Sequence, residues 1–390
     1  MRKLLVFIFL SFLTLGASAQ SARQFYDKAL KTEDLAEQIK LYTKAIDKAP
    51  KFTSAYHRRG DAYRSSGQLK KAIADYTKTI NLNPNDAFKY YARALAFMDE
   101  KRYNSAVSDL TKAIKLKNNY DDFYFNRALS YFALEKYRPA LSDLKKIKNK
   151  RKKEPEITLL EGKIYFYSYD YQKAEQFFEK VLSTNPNNSE ALLFIGRINY
   201  NKEFYDEAIS YFSKVINREA KDEAAWRLRA LAFKQIGQYQ KALADYTELI
   251  SIKPEAAYYN RRGLVYEELN NWQAAQQDYS QAIAKNPKWA LPYNNRAYAY
   301  LKTKDYKKAL PDLQMSIKLL PASQAAYINL AGYYWTVKKD KKKMYKNLDA
   351  ALKYNFKDFD SLYEESQKGW LFKNINNTVE FRSFIDEYSK

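Results

Sequence analysis

The chain of 390 residues has no cysteine and a single histidine, His57. Without cysteine there can be no disulfide, no thiolate metal site and no lipid anchor on a processed N-terminal cysteine. One histidine rules out a repeated Ser-His or Cys-His arrangement and any multi-histidine metal site. Neither G-x-G-x-x-G nor G-x-x-x-x-G-K-[ST] occurs, so no phosphate-cradling loop is read from the sequence. Carboxylate pairs such as Glu267-Glu268 and Glu364-Glu365 are neighbours in sequence, and adjacent residues on a helix point in different directions. They read as solvated surface. Neither an enzyme nor a cofactor is expected. Glycine and proline are also scarce, 9 and 10 residues. Most prolines stand between apolar-periodic segments, which favours long helices over strands.

Beyond the first 19 residues no stretch approaches the ~18 apolar residues a spanning helix needs. Those first residues combine Arg2 and Lys3, an apolar run from Leu4 to Leu15 and the small-residue box Ala17-Ser18-Ala19. That is the pattern of a secretory signal peptide, with an uncleaved N-terminal anchor as the other reading. The expectation is an exported chain beginning near Gln20, in a periplasm or secreted. Losing Arg2 and Lys3 takes the net charge from +22 to +20, enough to attract polyanions in a salt-dependent way.

What is abundant is repetition. Tyr103, Tyr137, Tyr171, Tyr205, Tyr239, Trp272 and Tyr306 follow one another at 34, 34, 34, 34, 33 and 34 residues. Two small-residue columns run in step. One is Gly60, Ala94, Ala128, Gly162, Gly196, Ala230, Gly263, Ala297 and Ala331; the other runs from Ala72 to Ala309. Two such columns mean two helices per repeat in close approach, and prolines such as Pro84 and Pro254 end the second. The spacing in Tyr56…Gly60…Tyr63…Ala72…Tyr76…Pro84 resembles the tetratricopeptide repeat, as does Trp226…Ala230…Phe233…Ala242…Tyr246…Pro254. The resemblance covers residues 21 to 355 in some ten repeats. It implies an all-α fold, an α-solenoid wound as a right-handed superhelix of helix-turn-helix units.

The expected organisation is a signal peptide over 1–19, a repeat array over 20–356 and a capping segment over 357–390. The last repeat departs from the pattern, with Lys343 in the alanine column and one residue inserted before Leu348 and Ala351. In the tail, Phe381, Phe384, Ile385 and Tyr388 recur at helical spacing behind Thr378, a candidate N-cap. The tail is read as a cap over the last repeat, with a separate binding motif as the alternative.

With each small residue set at position 8, arginine fills position 7 in six repeats: Arg59, Arg93, Arg127, Arg229, Arg262 and Arg296. Aspartate fills position 23 in the same six: Asp75, Asp109, Asp143, Asp245, Asp278 and Asp312. Repeats lacking one lack the other. A bidentate bridge from the first helix to the second of one repeat is the expectation, with a structural role.

In this family the first helices line a concave surface that holds a peptide. The resemblance implies contacts in two regions. Repeats three to six would offer Tyr91, Phe125, Leu129, Phe132, Leu159, Phe166, Phe194 and Tyr200. Repeats eight to ten would offer Asn260, Arg261, Asn294, Asn295, Tyr298 and Asn329. Packing between neighbouring helices is the competing reading for the aromatics. Two basic runs, residues 145 to 153 with Lys150, Arg151, Lys152 and Lys153, and Lys338 to Lys343, are solvated loops or docking sites for an anionic polymer or lipid surface. The expected partner is a protein or an extended peptide segment held in the groove. Binding through the basic loops is the alternative, and nucleic acid is not expected.

Overall fold

The computed structural model describes residues 20–147 and 154–354, with Phe372, Thr378, Glu380, Phe381, Ser383 and Phe384 of the tail. The expected signal peptide and the loop residues Lys150, Arg151, Lys152 and Lys153 lie outside the described residues. So do Ile385 and Tyr388. Among the described residues every regular element is a helix, and no helix is long and apolar enough to cross a membrane.

Over residues 20–147 and 154–354, twenty α-helices pair into ten helix-turn-helix repeats. Helix α1 covers 20–29 and pairs with α2 (Leu35–Lys48). Helices α3 (Thr53–Ser65) and α4 (Leu69–Leu82) follow, then α5 (Ala87–Asp99) and α6 (Tyr103–Leu116), then α7 (Asp121–Ala133) and α8 (Tyr137–Leu144). Next come α9 (Pro155–Tyr167) with α10 (Tyr171–Thr184), α11 (Ser189–Asn201) with α12 (Tyr205–Arg218), and α13 (Glu223–Gln235) with α14 (Tyr239–Ile252). The series ends with α15 (Ala256–Glu268) and α16 (Trp272–Lys285), α17 (Ala290–Lys302) and α18 (Tyr306–Leu319), and α19 (Gln324–Tyr333) and α20 (Lys341–Lys353). The chain forms two compact halves, Met1–Phe194 and Ile195–Lys390, each a stretch of α-solenoid.

Within each half the small-residue columns do what close packing requires. Ala72, Ala106, Ala140, Ala242, Ala275 and Ala309 are fully buried. The glycine column is matched to the residue sixteen places on. A Cβ on Gly60 would lie 2.8 Å from the Tyr76 ring, on Gly162 2.7 Å from Phe178, and on Gly263 2.6 Å from Tyr279. Where position 8 is Ala94, Ala128 or Ala297, the facing residue is Leu110, Leu144 or Leu313. Ala230 opposite Tyr246 is the exception. Gly162→Ala gains helix propensity of about 1 kcal/mol but forces a methyl into Phe178, itself stacked on Phe194 at 5.1 Å. Overpacking costs about 1–3 kcal/mol, so the variant should lose stability in a denaturant titration. Adding Phe178→Leu should recover most of it.

The turns inside the repeats share one device. Lys101, Glu135, Tyr169, Glu203, Asn270, Lys304 and Lys339 all have positive φ, as do Gly67 and Gly237 at the same place. A side chain there is strained by roughly 1–2 kcal/mol. Glu203→Gly should therefore stabilise the C-terminal half by a net ~0.5–1 kcal/mol in a denaturant titration, after the entropy of glycine is counted.

The inserted residue of the last repeat appears as a π-helix over Tyr334–Lys338, followed by Lys339 in the left-handed region at φ 55. One extra residue in a helix is what a π-turn accommodates. From the tail, Phe372 and Phe381 are buried against Met344 and Leu348 of this repeat, and the Phe381 N–H donates to the Thr378 hydroxyl at 3.4 Å. Those contacts cover apolar surface that a terminal repeat otherwise exposes.

Candidate functional site

Each arginine of the position-7 column grips its aspartate with two parallel hydrogen bonds. Arg229 Nε and Nη2 donate to Asp245 at 2.9 and 2.8 Å, and Arg59 does the same to Asp75 at 2.7 and 2.8 Å. The other four pairs match, and all six aspartates are buried. The bridge lies within one repeat, as expected. The remaining guanidinium nitrogen adds a tie the sequence reading missed. It donates to a hydroxyl on the second helix of the preceding repeat: Thr43, Thr77, Thr111, Ser213, Thr247 or Ser280, at 2.9 to 3.0 Å. Thr77 and Ser213 in turn donate to the carbonyls of Ile73 and Ile209, each at 2.7 Å. Each arginine thus joins three helices. The signal was in the sequence. Glu161, Ile195 and Leu330 stand in place of the arginine, and Lys145, Glu179 and Gln314 stand in place of the preceding hydroxyl.

This network fixes the first helices side by side, so their outer surface is a continuous strip within each half. Neighbouring first helices touch directly. In the N-terminal half the Asn126 amide donates to the Tyr91 hydroxyl at 3.2 Å, Arg64 pairs with Asp99, and Lys163 with Glu190 at 2.7 Å. In the C-terminal half Gln235 donates to Tyr200 at 3.4 Å and Lys234 pairs with Glu268 at 2.7 Å.

That contact corrects part of the expected contact set. Phe166 and Phe194 are buried, ring centroids 5.1 Å apart, between α9 and the start of α11. They pack between helices. Asn260, Asn294 and Asn295 are also buried. Asn295 donates to Asn260 at 3.1 Å, and Asn329 to Asn294 at 3.0 Å. These amides join successive first helices to each other instead of facing a partner's backbone. Tyr91, Phe125, Phe132, Tyr200, Tyr298 and Asn329 are half-buried, and Arg261 is exposed. Phe132 has Tyr167 beside it at 5.7 Å and the Lys163 ammonium over its face, also at 5.7 Å. Tyr167 is 39% exposed, so these two rings form an open aromatic shelf.

The same strip holds two cavities among α1, α3, α4 and α5. One, of 320 Å³, is lined by Tyr26, Thr53, Ser54, His57, Arg58, Asp86, Phe88 and Lys89. The other, of 370 Å³, is lined by Asp61, Arg64, Ser65, Tyr76 and Asp99. The Tyr76 hydroxyl reaches Asp61 at 2.8 Å, and Nδ1 of His57 is buried with no hydrogen-bond partner. His57, Arg58 and the other lining residues of these cavities lie outside the contact set expected from the sequence. The basic run from Lys338 to Lys343 extends from the end of the π-helix into the first turn of α20, a second helix. Among the described residues no cluster of His, Asp or Glu has the makings of a metal site.

Family models of the tetratricopeptide repeat match residues 41–74, 60–101, 94–135, 165–232, 224–255, 256–289 and 291–322. The chain is a tetratricopeptide-repeat protein. No curated protein matches it. Among solved structures, the C-terminal part of a TPR repeat-containing protein from Cytophaga hutchinsonii is similar over 60% of this chain and 97% of its own, at 22% identity and a TM-score of 0.52. That likeness is one of fold. MamA is similar at 25% identity over 42% of this chain and 95% of its own, with a TM-score of 0.39. Pseudomonas aeruginosa pilF is similar at 19% identity over 56% and 96%, with a TM-score of 0.46. Tetratricopeptide-repeat proteins are in general protein-interaction scaffolds.

Proposed function

We propose that this tetratricopeptide-repeat protein is a non-catalytic scaffold of the cell envelope that holds an extended segment of a partner protein along the strip of first helices. The observation that carries the reading is the strip itself. Its first helices carry open rings such as Phe132 and Tyr167 on α7 and α9 and, in the earlier repeats, cavities lined with donors and acceptors, the mixture that concave recognition sites use. Apolar anchors of the partner would cover the rings, while Arg58, Lys89 and the hydroxyls of Thr53 and Ser54 would meet polar groups. Location in the envelope rests on the N-terminal pattern of Arg2, Lys3, the apolar run and the Ala17-Ser18-Ala19 box. The alternative, binding of an anionic polymer or surface through Lys150, Arg151, Lys152 and Lys153, draws on charge alone.

With a partner captured from the envelope fraction, Phe132→Ala should weaken binding about thirtyfold to a thousandfold, the size of a central anchor. A variant with Lys150, Arg151, Lys152 and Lys153 replaced by Ser should bind normally at physiological salt. If only that loop variant binds more weakly, the strip is not the site.

A further inference from the structure

The last repeat carries a surface that neither folding nor the strip explains. Lys338, Lys339, Lys341, Lys342, Lys343 and Lys346 are all exposed around the turn from α19 to α20. Asp340 takes Lys343 at 3.5 Å, and Glu380 takes Lys341 at 3.8 Å. Lys338, Lys339, Lys342 and Lys346 have no carboxylate partner among the described residues. The Asp340–Lys343 pair repeats the pairing of Lys173 with Asp170 and of Lys308 with Asp305, both at 2.6 Å, and it leaves Lys342 beside it unpaired.

Helix physics disfavours this arrangement. The N-terminus of a helix carries partial positive charge and prefers acids, yet α20 places three consecutive lysines behind the single capping acid Asp340. Earlier second helices open with an aromatic residue such as Tyr205, Tyr239 or Trp272, where this one has Lys341. Each departure costs stability locally, and each turns an ammonium group outward. Lys342 and Lys346, one helical turn apart, share a face of α20.

The geometry points to the chemistry of the partner. These lysines are exposed and line none of the cavities described, so they suit a flat surface better than a thread-like chain. All are lysines, point charges on flexible stems, where a fixed phosphate geometry would call for the planar fork of arginine. We propose that the α19–α20 turn docks the protein onto a bilayer rich in anionic phospholipid. This proposal stands independently of the strip and of what the strip holds.

The test uses the chain from Gln20 onward, so that the apolar run before it cannot itself enter lipid, with sedimentable vesicles of phosphatidylcholine with or without ~30% phosphatidylglycerol at about 0.1 M salt, near physiological screening. The protein should bind the mixed vesicles, leave pure phosphatidylcholine alone and dissociate at 0.5 M salt, where charge attraction is screened. A basic residue near an anionic surface raises the partition about fivefold. Replacing Lys338, Lys339, Lys342 and Lys346 by Ser should therefore lower binding at least a hundredfold, with helix content unchanged by circular dichroism. A control replacing the exposed Lys70, Lys78, Lys101 and Lys112 by Ser removes the same charge and should lose far less. The proposal is overturned if the control loses as much as the patch variant, if phosphatidylcholine alone binds equally, or if no vesicle binds. Binding of soluble polyphosphate through the same lysines, without vesicle binding, would likewise overturn it in favour of a polymer.

Discussion

Arg229→Ala should destabilise the C-terminal half by about 3–5 kcal/mol, and Asp245→Ala by a similar amount, because each leaves a buried charge without its partner. Asp245 is 3% exposed, and its two hydrogen bonds from Arg229 offset the burial that pushes its carboxyl above the usual range. The double variant should lose much less than the sum, since the second substitution removes the charge that the first stranded. Ser213→Ala separates the two jobs of the arginine. It leaves the bridge to Asp245 intact and removes only the tie to α12, at roughly 1.5–3 kcal/mol for one hydrogen bond to a charged group. Equilibrium unfolding of the four variants gives the coupling energy directly. Additive losses for Arg229 and Asp245 would mean that the pair does not act as a unit.

Glu267→Gln should stabilise the protein at pH 8 by about 3 kcal/mol and change little at pH 4. Burial pushes the Glu267 carboxyl up to about 7 from an ordinary 4.5; the Tyr279 hydroxyl opposes the rise, Glu268 adds to it, and Lys234 and Lys302 oppose it. One of its oxygens is buried without a hydrogen-bond partner. The folded state therefore holds a proton that the unfolded state has lost between about pH 4.5 and pH 7. Stability from this group is fully present below pH 4.5, falls as the pH rises through 7, and is flat above. A shift of this size is worth roughly 3 kcal/mol. Unfolding midpoints of the parent and Glu267→Gln should converge at acid pH and part at alkaline pH. Parallel curves across the range would show that Glu267 is solvated in the folded state.

Much of this was written in the sequence. The 34-residue period, the two small-residue columns and the joint presence of Arg229 with Asp245 follow from constraints inside one repeat, and a column shows such constraints plainly. The hydroxyl that completes the network belongs to the preceding repeat, so it escapes a reading confined to one unit. Burial of Asn260, Asn294, Asn295, Phe166 and Phe194 was not legible, because it depends on how closely neighbouring first helices approach. The period fixes which residues recur. It does not fix the distance between helices that decides whether a recurring side chain faces a partner or its own neighbour. The inserted residue of the last repeat could be counted from the sequence, but its place in the π-helix at Tyr334–Lys338 depends on which turn of the helix yields.

The central claim, that a partner segment lies along the first helices, is tested most directly by hydroxyl-radical footprinting of the protein alone and bound to its captured partner. Aromatic rings on the strip report the result themselves. Phe125, Phe132, Tyr167 and Tyr200 are partly open in the free chain, and several of them should become protected together. Exposed rings at the edges of the repeats, such as Tyr169 at 80% exposure and Tyr354 at 39%, should keep their reactivity. Protection confined to those edges or to the α19–α20 turn, with Phe132 and Tyr167 as reactive as before, would contradict the account.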